Sequence, residues 1–273
     1  HFGIGLAQKI KGNLYDAEES FNTSIELKPN YPEAQYYLAS IFFENNKLAS
    51  SEEHLSNVIL IDAADIPIRP AHQFVSKLIS ENNQTTTDLE RLNLAKEKVP
   101  EDQPLVMSRE VDNELVACLY EMHTRGLDST ADARHGKGRC SLDFNLFDSK
   151  IPAIKQVSED LRTLIEETLC KDFYHADSFF NILSKGGGTT PHNHINRHDN
   201  EFKLSAHKYS LVYYLAIGDQ KTDEPGFLRF YNPDFKILPE KGMVVIVPAK
   251  RDHSAIYTGL QERVMIGLNF YAI

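Results

Sequence analysis

The sequence is poor in three features that each mark a class of protein: cysteine, long apolar runs and an excess of positive charge. Only three cysteines occur in 273 residues, far apart and without a CxxC pair. Neither a disulfide framework nor a cysteine zinc site is therefore expected. Three free thiols are typical of a reducing compartment, so we expect a cytoplasmic protein. The cysteines are Cys118, Cys140 and Cys170.

The apolar runs are short and the net charge is negative. The longest run, MVVIVPA, suits a buried strand and is far below the ~20 residues that a membrane helix needs. A formal net charge of −10 disfavours non-specific binding to nucleic acid and gives no support for docking on an anionic membrane. With 41% hydrophobic and 25% charged residues, the chain has the composition of a soluble globular protein.

The first third of the chain repeats itself with a period of about 34 residues. When LAQKIKGNLYDAEESFNTSIELKPN is laid over SIFFENNKLASSEEHLSNVILIDAA, small, aromatic and aliphatic residues coincide. This pattern resembles the tetratricopeptide repeat, in which each helical hairpin buries its face only against its neighbours. The aligned pairs are Gly12 with Asn46, Leu14 with Leu48, Ala17 with Ser51, Phe21 with Leu55, and Ile25 with Ile59. Because the chain opens at HFGIGLAQ, already inside a periodic pattern, we expect the natural protein to begin further upstream, where a targeting signal could lie.

The helical repeat pattern ends near residue 100, where VPEDQP looks like a linker. We therefore place helical repeats at 1–100, including a helix over PIRPAHQFVSKLIS, and a second domain at 101–273. In that domain, Ser108 to His123 and Pro152 to Leu169 have helical periodicity. Between them a Gly-rich, locally basic stretch around Ala131–Cys140 predicts a loop, either a solvated connection or a segment that faces substrate.

From Asp177 onward the pattern predicts short strands: DSFFNILS, KYSLVYYLAIG, GFLRFYNP, KILP, GMVVIVPA, HSAIYTG and RVMIGLNFYAI. They are rich in aromatic and β-branched residues and are separated by Gly, Pro and Asp turns, as in an all-β barrel or jelly roll. The polar stretch between His194 and Lys208 predicts a loop. The fold class expected is α+β, with helices followed by a barrel.

The segment GGGTTPHNHINRHD gathers three histidines within seven positions: His192, His194 and His198. The glycines and the proline exclude a helix here. On an extended strand alternate side chains share a face, with Cα atoms ~6.5–7 Å apart, so His192 and His194 can reach one metal ion. His253, which begins a late strand, is the candidate third ligand. His198 is most simply a surface or pocket-edge residue.

Arg263 follows His253 by ten residues on the last predicted strand. Strand alternation puts it on one face with Met265, Gly267 and Asn269, and puts on the other face Val264, Ile266, Leu268 and Phe270. An arginine that shares a face with small and polar residues suits a polar cavity. There its planar fork could bind a carboxylate with two hydrogen bonds.

This order of residues, an HxH motif followed by a distant histidine and then an arginine ten residues later, resembles that of the iron(II)- and 2-oxoglutarate-dependent dioxygenases. Those enzymes bind iron with a 2-His-1-carboxylate facial triad. YSLVYYLAIGD, PGFLRFYNP, KGMVVIVPA and HSAIY are similar to prolyl 4-hydroxylase-like members, over Asp177 to Ile273. The resemblance implies a double-stranded β-helix (jelly-roll) barrel with supporting helices, and Fe(II), 2-oxoglutarate and O₂, with ascorbate as a further cofactor. It also implies that Arg263 and Tyr214 bind 2-oxoglutarate, with Lys208 as an alternative carboxylate partner.

One departure concerns the second ligand, because the family motif is HxD or HxE and this chain has His194. Three interpretations stay open. In the first, His194 replaces the carboxylate in a three-histidine iron site. In the second, water takes that place, as in aspartyl/asparaginyl β-hydroxylase, and His194 lies outside the ligand set. In the third, the carboxylate ligand is Asp199 or Glu201. Zinc would also bind three histidines, but structural zinc sites usually have four protein ligands.

The resemblance implies an enzyme that hydroxylates a peptide or protein side chain, of prolyl or aspartyl/asparaginyl type. Repeats precede such domains in aspartyl/asparaginyl β-hydroxylase and in some prolyl hydroxylases, although they could equally mediate a homodimer. No nucleic-acid or membrane partner is expected. Two other classes fit the same residues. One is a three-histidine cupin-type dioxygenase, which does not use 2-oxoglutarate and would not need Arg263. The other is a non-catalytic interaction protein whose repeats are the working part.

Overall fold

The structure, a computed structural model, describes residues 1–61, 67–82, 103–127 and 136–273. The boundary predicted near residue 100 lies outside these residues. Contacts divide the chain into two units. The helical unit comprises His1–Glu97, Asn196–Leu204 and Ile273, and the sheet unit comprises Lys98–Ile195 and Ser205–Ala272.

The described residues contain eight α-helices and ten strands. The helices are α1 Phe2–Ile10, α2 Leu14–Leu27, α3 Pro32–Glu44, α4 Leu48–Ile59, α5 Ile68–Asn82, α6 Asn113–Glu121, α7 Pro152–Leu169 and α8 Arg197–Glu201. The strands are β1 Leu105–Ser108, β2 Thr124–Gly126, β3 Gly136–Ser141, β4 Phe173–His192, β5 Lys208–Ala216, β6 Leu228–Phe230, β7 Phe235–Ile237, β8 Met243–Pro248, β9 His253–Tyr257 and β10 Arg263–Ala272. Single 3₁₀ turns span Leu146–Asp148 and Leu204–Ala206. No helix among the described residues is long and apolar enough to cross a membrane.

The helical unit follows the period seen in the sequence, because α2 and α4 begin at equivalent positions of the two copies. The chain turns before each helix at Gly12 and Asn46, whose φ angles are 82° and 56°. Glycine and asparagine adopt this left-handed conformation at lower cost than other residues. The buried positions also match, since Ala17, Phe21 and Ser24 of α2 correspond to Ser51, Leu55 and Val58 of α4. The likeness to tetratricopeptide repeats stays a prediction.

Helix α3 forms the centre of the helical unit. It starts at Pro32, which suits a first helical position because its missing N–H would have no partner there. Tyr36 and Tyr37 are both buried, and the Tyr37 ring stacks on Phe21 of α2 with centroids 5.8 Å apart. The predicted helix over PIRPAHQFVSKLIS is also confirmed, as α5.

The sheet unit is a curled antiparallel sheet with a jelly-roll-like core, which confirms the α+β class. The strand order is β1-β8-β5-β10-β4-β9-β6-β7, and β3 also pairs with β4. Strand β4 serves both halves of the sheet. Its first part, up to Leu183, pairs with β10, whereas Gly187 to His192 pair with β9. The change of partner occurs at the three glycines that precede the histidines.

The two faces of the last strand meet different surroundings, as alternation predicts. Its apolar face packs with α6 and α7 in the main core, through Val264, Ile266, Leu268 and Phe270. A second cluster lies on the other face of the sheet, where Met265 packs against Tyr214, Leu228, Phe230, Val245 and Val247. Full burial of each such side chain contributes roughly 1.5–3 kcal/mol to the free energy of folding.

Three local expectations are corrected. Residues 136–141 of the predicted loop form strand β3, and 128–135 lie outside the described residues. The stretch after His194 contains α8, which begins where Asn196 Oδ1 accepts hydrogen bonds from the N–H groups of His198 and Asp199. Helix α6 starts at Asn113 rather than Ser108, because the Asp112 carboxylate caps it. The three cysteines are free thiols.

Candidate metal centre

His192 and His253 face each other across paired strands. His192 ends β4, His253 begins β9, and the two are partners in the register. Nδ1 of His192 donates to the Thr190 carbonyl at 2.8 Å, and Nδ1 of His253 donates to the Arg251 carbonyl at 2.9 Å. Because a carbonyl only accepts, these bonds place the ring proton on Nδ1 and make Nε2 of each ring an acceptor, the form in which an imidazole binds a metal.

His194 completes the group from just beyond the end of β4. Its backbone N–H donates to the Ala249 carbonyl at 2.9 Å. Its Nε2 lies 3.3 Å from Nε2 of His253. The ring centroids of the three histidines are 4.6 to 5.1 Å apart, and one nitrogen from each lies within 4.8 Å of the others. The structure therefore brings together the three histidines that the sequence selected.

These nitrogens fit a metal ion. Two nitrogens each about 2.1 Å from one ion are roughly 3.0 Å apart at a right angle and roughly 3.4 Å apart at a tetrahedral angle. The 3.3 Å between the Nε2 atoms of His194 and His253 lies between these values. With its proton on Nδ1, His253 presents a lone pair at Nε2 toward His194, and a cation between the two rings could bind both.

Burial keeps His253 in the form that binds metal. Burial, together with the neighbouring His192 ring, lowers the pKa of His253 to about 4. Only 6% of the His253 side chain is exposed. The ring is therefore neutral near pH 7, as a metal-binding imidazole must be. Beside it, Asn193 Nδ2 donates to Asp252 Oδ1 at 2.9 Å and joins the two segments that carry the histidines.

Arg263 is completely buried at the start of β10. Its Nε, Nη1 and Nη2 donate to the carbonyls of Ile217, Gly226 and Pro225, at 3.2, 2.7 and 2.5 Å. A guanidinium has five N–H groups, so two donors remain. Among the described residues no carboxylate pairs with Arg263. Gly226 permits this approach, because a Cβ there would lie 1.9 Å from Nη1.

Tyr214 and Tyr257 flank this guanidinium, with their ring centroids 5.9 and 4.6 Å from its central carbon. Burial raises the pKa of Tyr214 to about 12, so its hydroxyl stays a donor near neutral pH. Tyr214 belongs to the same cluster as Phe230, and the Phe230 ring lies 6.2 Å from the His253 ring. The histidines and Arg263 are thus linked by one set of side chains on the same side of the sheet.

Sequence reasoning missed Tyr257. Its hydroxyl accepts from the Asp219 N–H at 2.7 Å and donates to the Gln261 carbonyl. The Gly218 and Gly259 positions leave room for it, since a Cβ at either would lie within about 2.2 Å of this hydroxyl. Alternation along HSAIY, which puts Tyr257 on the face of His253, was the available signal.

The remaining candidates lie elsewhere. Lys208 is buried at the start of β5, six residues before Tyr214, with Nζ 5.5 Å from the Tyr271 ring centroid. Asp199 accepts a hydrogen bond from the Asn196 N–H at 2.6 Å, and Glu201 forms an ion pair with Lys9. Neither carboxylate belongs to the histidine cluster. His198 is half-buried in the helical unit against Tyr36.

No protein-family model matches the sequence, and a search of curated proteins finds no match. Solved structures give partial similarity. A prolyl-4-hydroxylase from Pseudomonas putida is 18% identical, covers 63% of this chain and 92% of that chain, and has a TM-score of 0.45. A prolyl hydroxylase from Trichoplax adhaerens, in complex with a hypoxia inducible factor peptide, is 17% identical. The alignment covers 69% of this chain and 94% of that chain, with a TM-score of 0.49. HygX from Streptomyces hygroscopicus, with nickel and 2-oxoglutarate bound, is 11% identical. That alignment covers 69% of this chain and 87% of HygX, with a TM-score of 0.48.

Proposed function

We propose that this protein is an iron(II)- and 2-oxoglutarate-dependent dioxygenase. Two observations carry the proposal: three imidazoles converge, and a buried arginine has no acidic partner among the described residues. Three protein ligands leave open positions on an octahedral ion, as a catalytic site needs and a structural site does not. When bound, iron(II) would supply the oxygen chemistry; the protein binds, orients and shields the reactants.

In this proposal the ligands are His192, His194 and His253, and His194 takes the position of the usual carboxylate. The short distance between the Nε2 atoms of His194 and His253 favours this assignment over a water ligand or a carboxylate from α8. Three neutral ligands leave the full charge of the ion uncompensated. A doubly anionic co-substrate such as 2-oxoglutarate would offset that charge more fully than a neutral one.

Arg263 would bind the distal carboxylate of 2-oxoglutarate with its two remaining N–H groups. Tyr214 would donate a further hydrogen bond from a hydroxyl that burial keeps protonated. Lys208 is the second candidate for the carboxylate partner. It is less favoured, because Tyr214 and Arg263 lie at the opposite end of β5 from Lys208.

A peptide or protein side chain is the proposed substrate, hydroxylated in the manner of prolyl or aspartyl/asparaginyl hydroxylases. The paired helices of the helical unit, if they are tetratricopeptide hairpins, provide a surface for a peptide or for a second copy of the chain. A cytoplasmic location belongs to the same proposal, because three free thiols suit a reducing compartment.

The test is succinate formation from 2-oxoglutarate, measured with and without iron(II) across a panel of candidate peptides. We expect iron-dependent succinate, stimulated by one class of peptide, and loss of both turnover and iron binding in His253→Ala. Iron-dependent oxygen consumption without succinate would indicate the three-histidine dioxygenase that does not use 2-oxoglutarate. No iron binding by the wild type would favour the non-catalytic interaction protein.

A further inference from the structure

A row of polar side chains crosses the face of the sheet that carries Tyr214. Its members stand opposite one another in the register of three adjacent strands: Asp177 of β4, Asn269 of β10 and Ser210 of β5. Residues directly opposite in a ladder point to the same side of the sheet. Val247 of β8 stands opposite Ser210 and packs in the same cluster as Tyr214, so the row lies on the side of the sheet that also carries the candidate site.

The row lies at the histidine end of these strands. Ala249, just after β8, accepts a hydrogen bond from the His194 N–H at 2.9 Å and donates its own N–H to the Lys208 carbonyl at 2.8 Å. Lys208 comes two residues before the member of the row on β5, so the two share one face of that strand. Arg263 begins β10 at the opposite end. A ligand held by the row would therefore lie at the end of the sheet where the histidines converge.

Asn269 presents a buried acceptor that no group of the described residues fills. Only 5% of this residue is exposed. Its Nδ2 donates to Asp177 Oδ1 at 2.7 Å, and because a carboxylate only accepts, this bond fixes which way the amide points. Oδ1 is buried and receives no hydrogen bond within the described part of the chain. A buried amide oxygen without a donor is costly, so a ligand that donates an N–H or O–H there would be stabilised.

The charges around the row favour a neutral donor. The Asp177 carboxylate bonds to the Asn269 amide, so its negative charge lies beside the Oδ1 acceptor and would repel an anionic ligand. Lys208 is buried on the same face of β5, and its ammonium would oppose a cationic ligand. An uncharged group that carries an N–H is compatible with both.

Among side chains, a primary amide matches the row best. Its NH₂ group can donate to Asn269 Oδ1, and its carbonyl oxygen can accept from the Ser210 hydroxyl. A prolyl ring within a peptide has neither an N–H nor an O–H, and an ionised aspartate offers only acceptors. The row therefore discriminates between substrate types that the same metal centre could serve.

We propose that Asn269 and Ser210 form a substrate subsite that recognises a peptide side chain ending in a primary amide. The inference rests on the proposed function, and it selects an asparaginyl or glutaminyl substrate over a prolyl or aspartyl one. Asn269 determines specificity through its Oδ1 acceptor. The iron ligands and Arg263 keep the roles already assigned to them.

The test uses peptide libraries with a fixed central residue and randomised flanking positions. The central residue is Asn, Gln, Asp, Pro or Lys. Succinate formation by the wild type with iron(II) and 2-oxoglutarate is measured for each library, together with the gain of one oxygen mass in the peptides. We expect the Asn or Gln library to stimulate succinate formation at least about 10-fold more than the other three. The reason is that only a primary amide satisfies the buried acceptor without adding a charge.

Asn269→Leu removes the acceptor and keeps a side chain of similar size. Stimulation by the preferred amide library should fall about 10-fold, whereas the affinities for iron(II) and 2-oxoglutarate should stay at their wild-type values. Asn181→Leu is the matched control, because Asn181 stands opposite Met265 on the same face of the sheet. It should keep the amide preference. Ser210→Ala deletes a single hydroxyl and should weaken that preference.

The outcomes separate this inference from the proposed function. Strongest stimulation by the Asp, Pro or Lys library would overturn the subsite and leave the dioxygenase in place, even if Asn269→Leu does not fold. An amide preference that survives in Asn269→Leu, or 2-oxoglutarate turnover that no library stimulates, would have the same consequence. A wild type that does not turn over 2-oxoglutarate with iron(II) would overturn the proposed function, and this inference with it.

Discussion

At the scale of single residues, Arg263 has the environment that is hardest to explain without a ligand. Its charge is completely buried, and its bonds go to three neutral carbonyls. Burying a charge without a counter-charge costs several kcal/mol, and carbonyl dipoles offset only part of that cost. A carboxylate on its two remaining N–H groups would supply the missing negative charge.

Arg263→Lys should weaken 2-oxoglutarate binding about 10- to 100-fold and leave iron affinity unchanged. The reason is that a lysine keeps the charge but loses the two-pronged contact, and hydrogen bonds to charged groups are worth ~1.5–3 kcal/mol. Calorimetric titration of each ligand under anaerobic conditions measures both affinities. Arg229→Lys, at a half-exposed ion pair with Glu224, is the matched control. Parallel losses of iron and 2-oxoglutarate would show that Arg263 does not have the assigned role.

The residues of the site differ in how far sequence could reveal them. The three histidines and Arg263 follow from spacing and strand alternation, which are local properties of the chain. The surroundings of Arg263 depend on Gly226 and Tyr257, which meet it only after the strands pair. No local pattern marks a glycine as room for a distant side chain.

At the scale of elements, strand β4 connects the fold to the site. The positive φ of Gly188, 143°, and the adjacent change of strand partner bring His192 opposite His253. A Cβ on Gly188 would lie 2.0 Å from the Ala255 carbonyl oxygen of β9, whereas a Cβ on Gly186 would lie 3.7 Å from its nearest neighbour. A side chain at either position would be strained by the positive φ, but only a side chain at Gly188 would also clash with β9. Substitutions at the two positions therefore distinguish backbone strain from steric conflict.

Gly188→Ala should destabilise the protein by more than the ~1–3 kcal/mol typical of an unfavourable φ alone, and should also weaken metal binding. Its methyl group would push β9, and with it His253, away from β4. Gly186→Ala, with strain but no clash, should lose stability only. Chemical denaturation and cobalt titration measure the two effects. Equal metal affinity in both variants would contradict the coupling between this strand pair and the ligands.

A second connection joins the segment after β1 to α7. Arg109 donates to the Asp160 carboxylate and, at 2.9 Å, to the Tyr213 hydroxyl. The hydrogen bond from Arg109 lowers the pKa of Asp160 below its ordinary value. A carboxylate whose pKa is lower in the folded protein adds stability above its unfolded pKa of about 3.9, and this stability is lost as the pH falls through the lower value.

Asp160→Asn should therefore reduce the free energy of unfolding at pH 7, and the difference from the wild type should shrink below about pH 4. Urea denaturation at a series of pH values measures this. Glu159→Gln, at the exposed ion pair with Lys155 on the same helix, should change stability by only about 0.3–0.5 kcal/mol. A difference for Asp160→Asn that stays constant down to pH 3 would contradict the assigned ion pair.

At the scale of the whole molecule, the sequence predicted two kinds of architecture better than it predicted which residues belong to each. Period and alternation indicated the helices and the strands. The sequence did not reveal that Asn196–Leu204 belongs to the helical unit, because Phe202 contacts Tyr36 and Glu201 contacts Lys9 across long separations in sequence, 192 residues in the second case. Strand β3 was missed because a Gly-rich stretch has no alternation to detect, and its strand character comes from pairing with β4.

The most direct test is a crystal grown anaerobically with iron(II) and N-oxalylglycine, an inert analogue of 2-oxoglutarate, with anomalous diffraction at the iron edge. The expected result is one iron bonded to His192, His194 and His253 at about 2.2 Å or less, as is usual for metal–imidazole bonds. The distal carboxylate of the analogue should lie on Arg263. Iron bound elsewhere, an analogue carboxylate away from Arg263, or one of the three rings turned from the ion would contradict the proposed site.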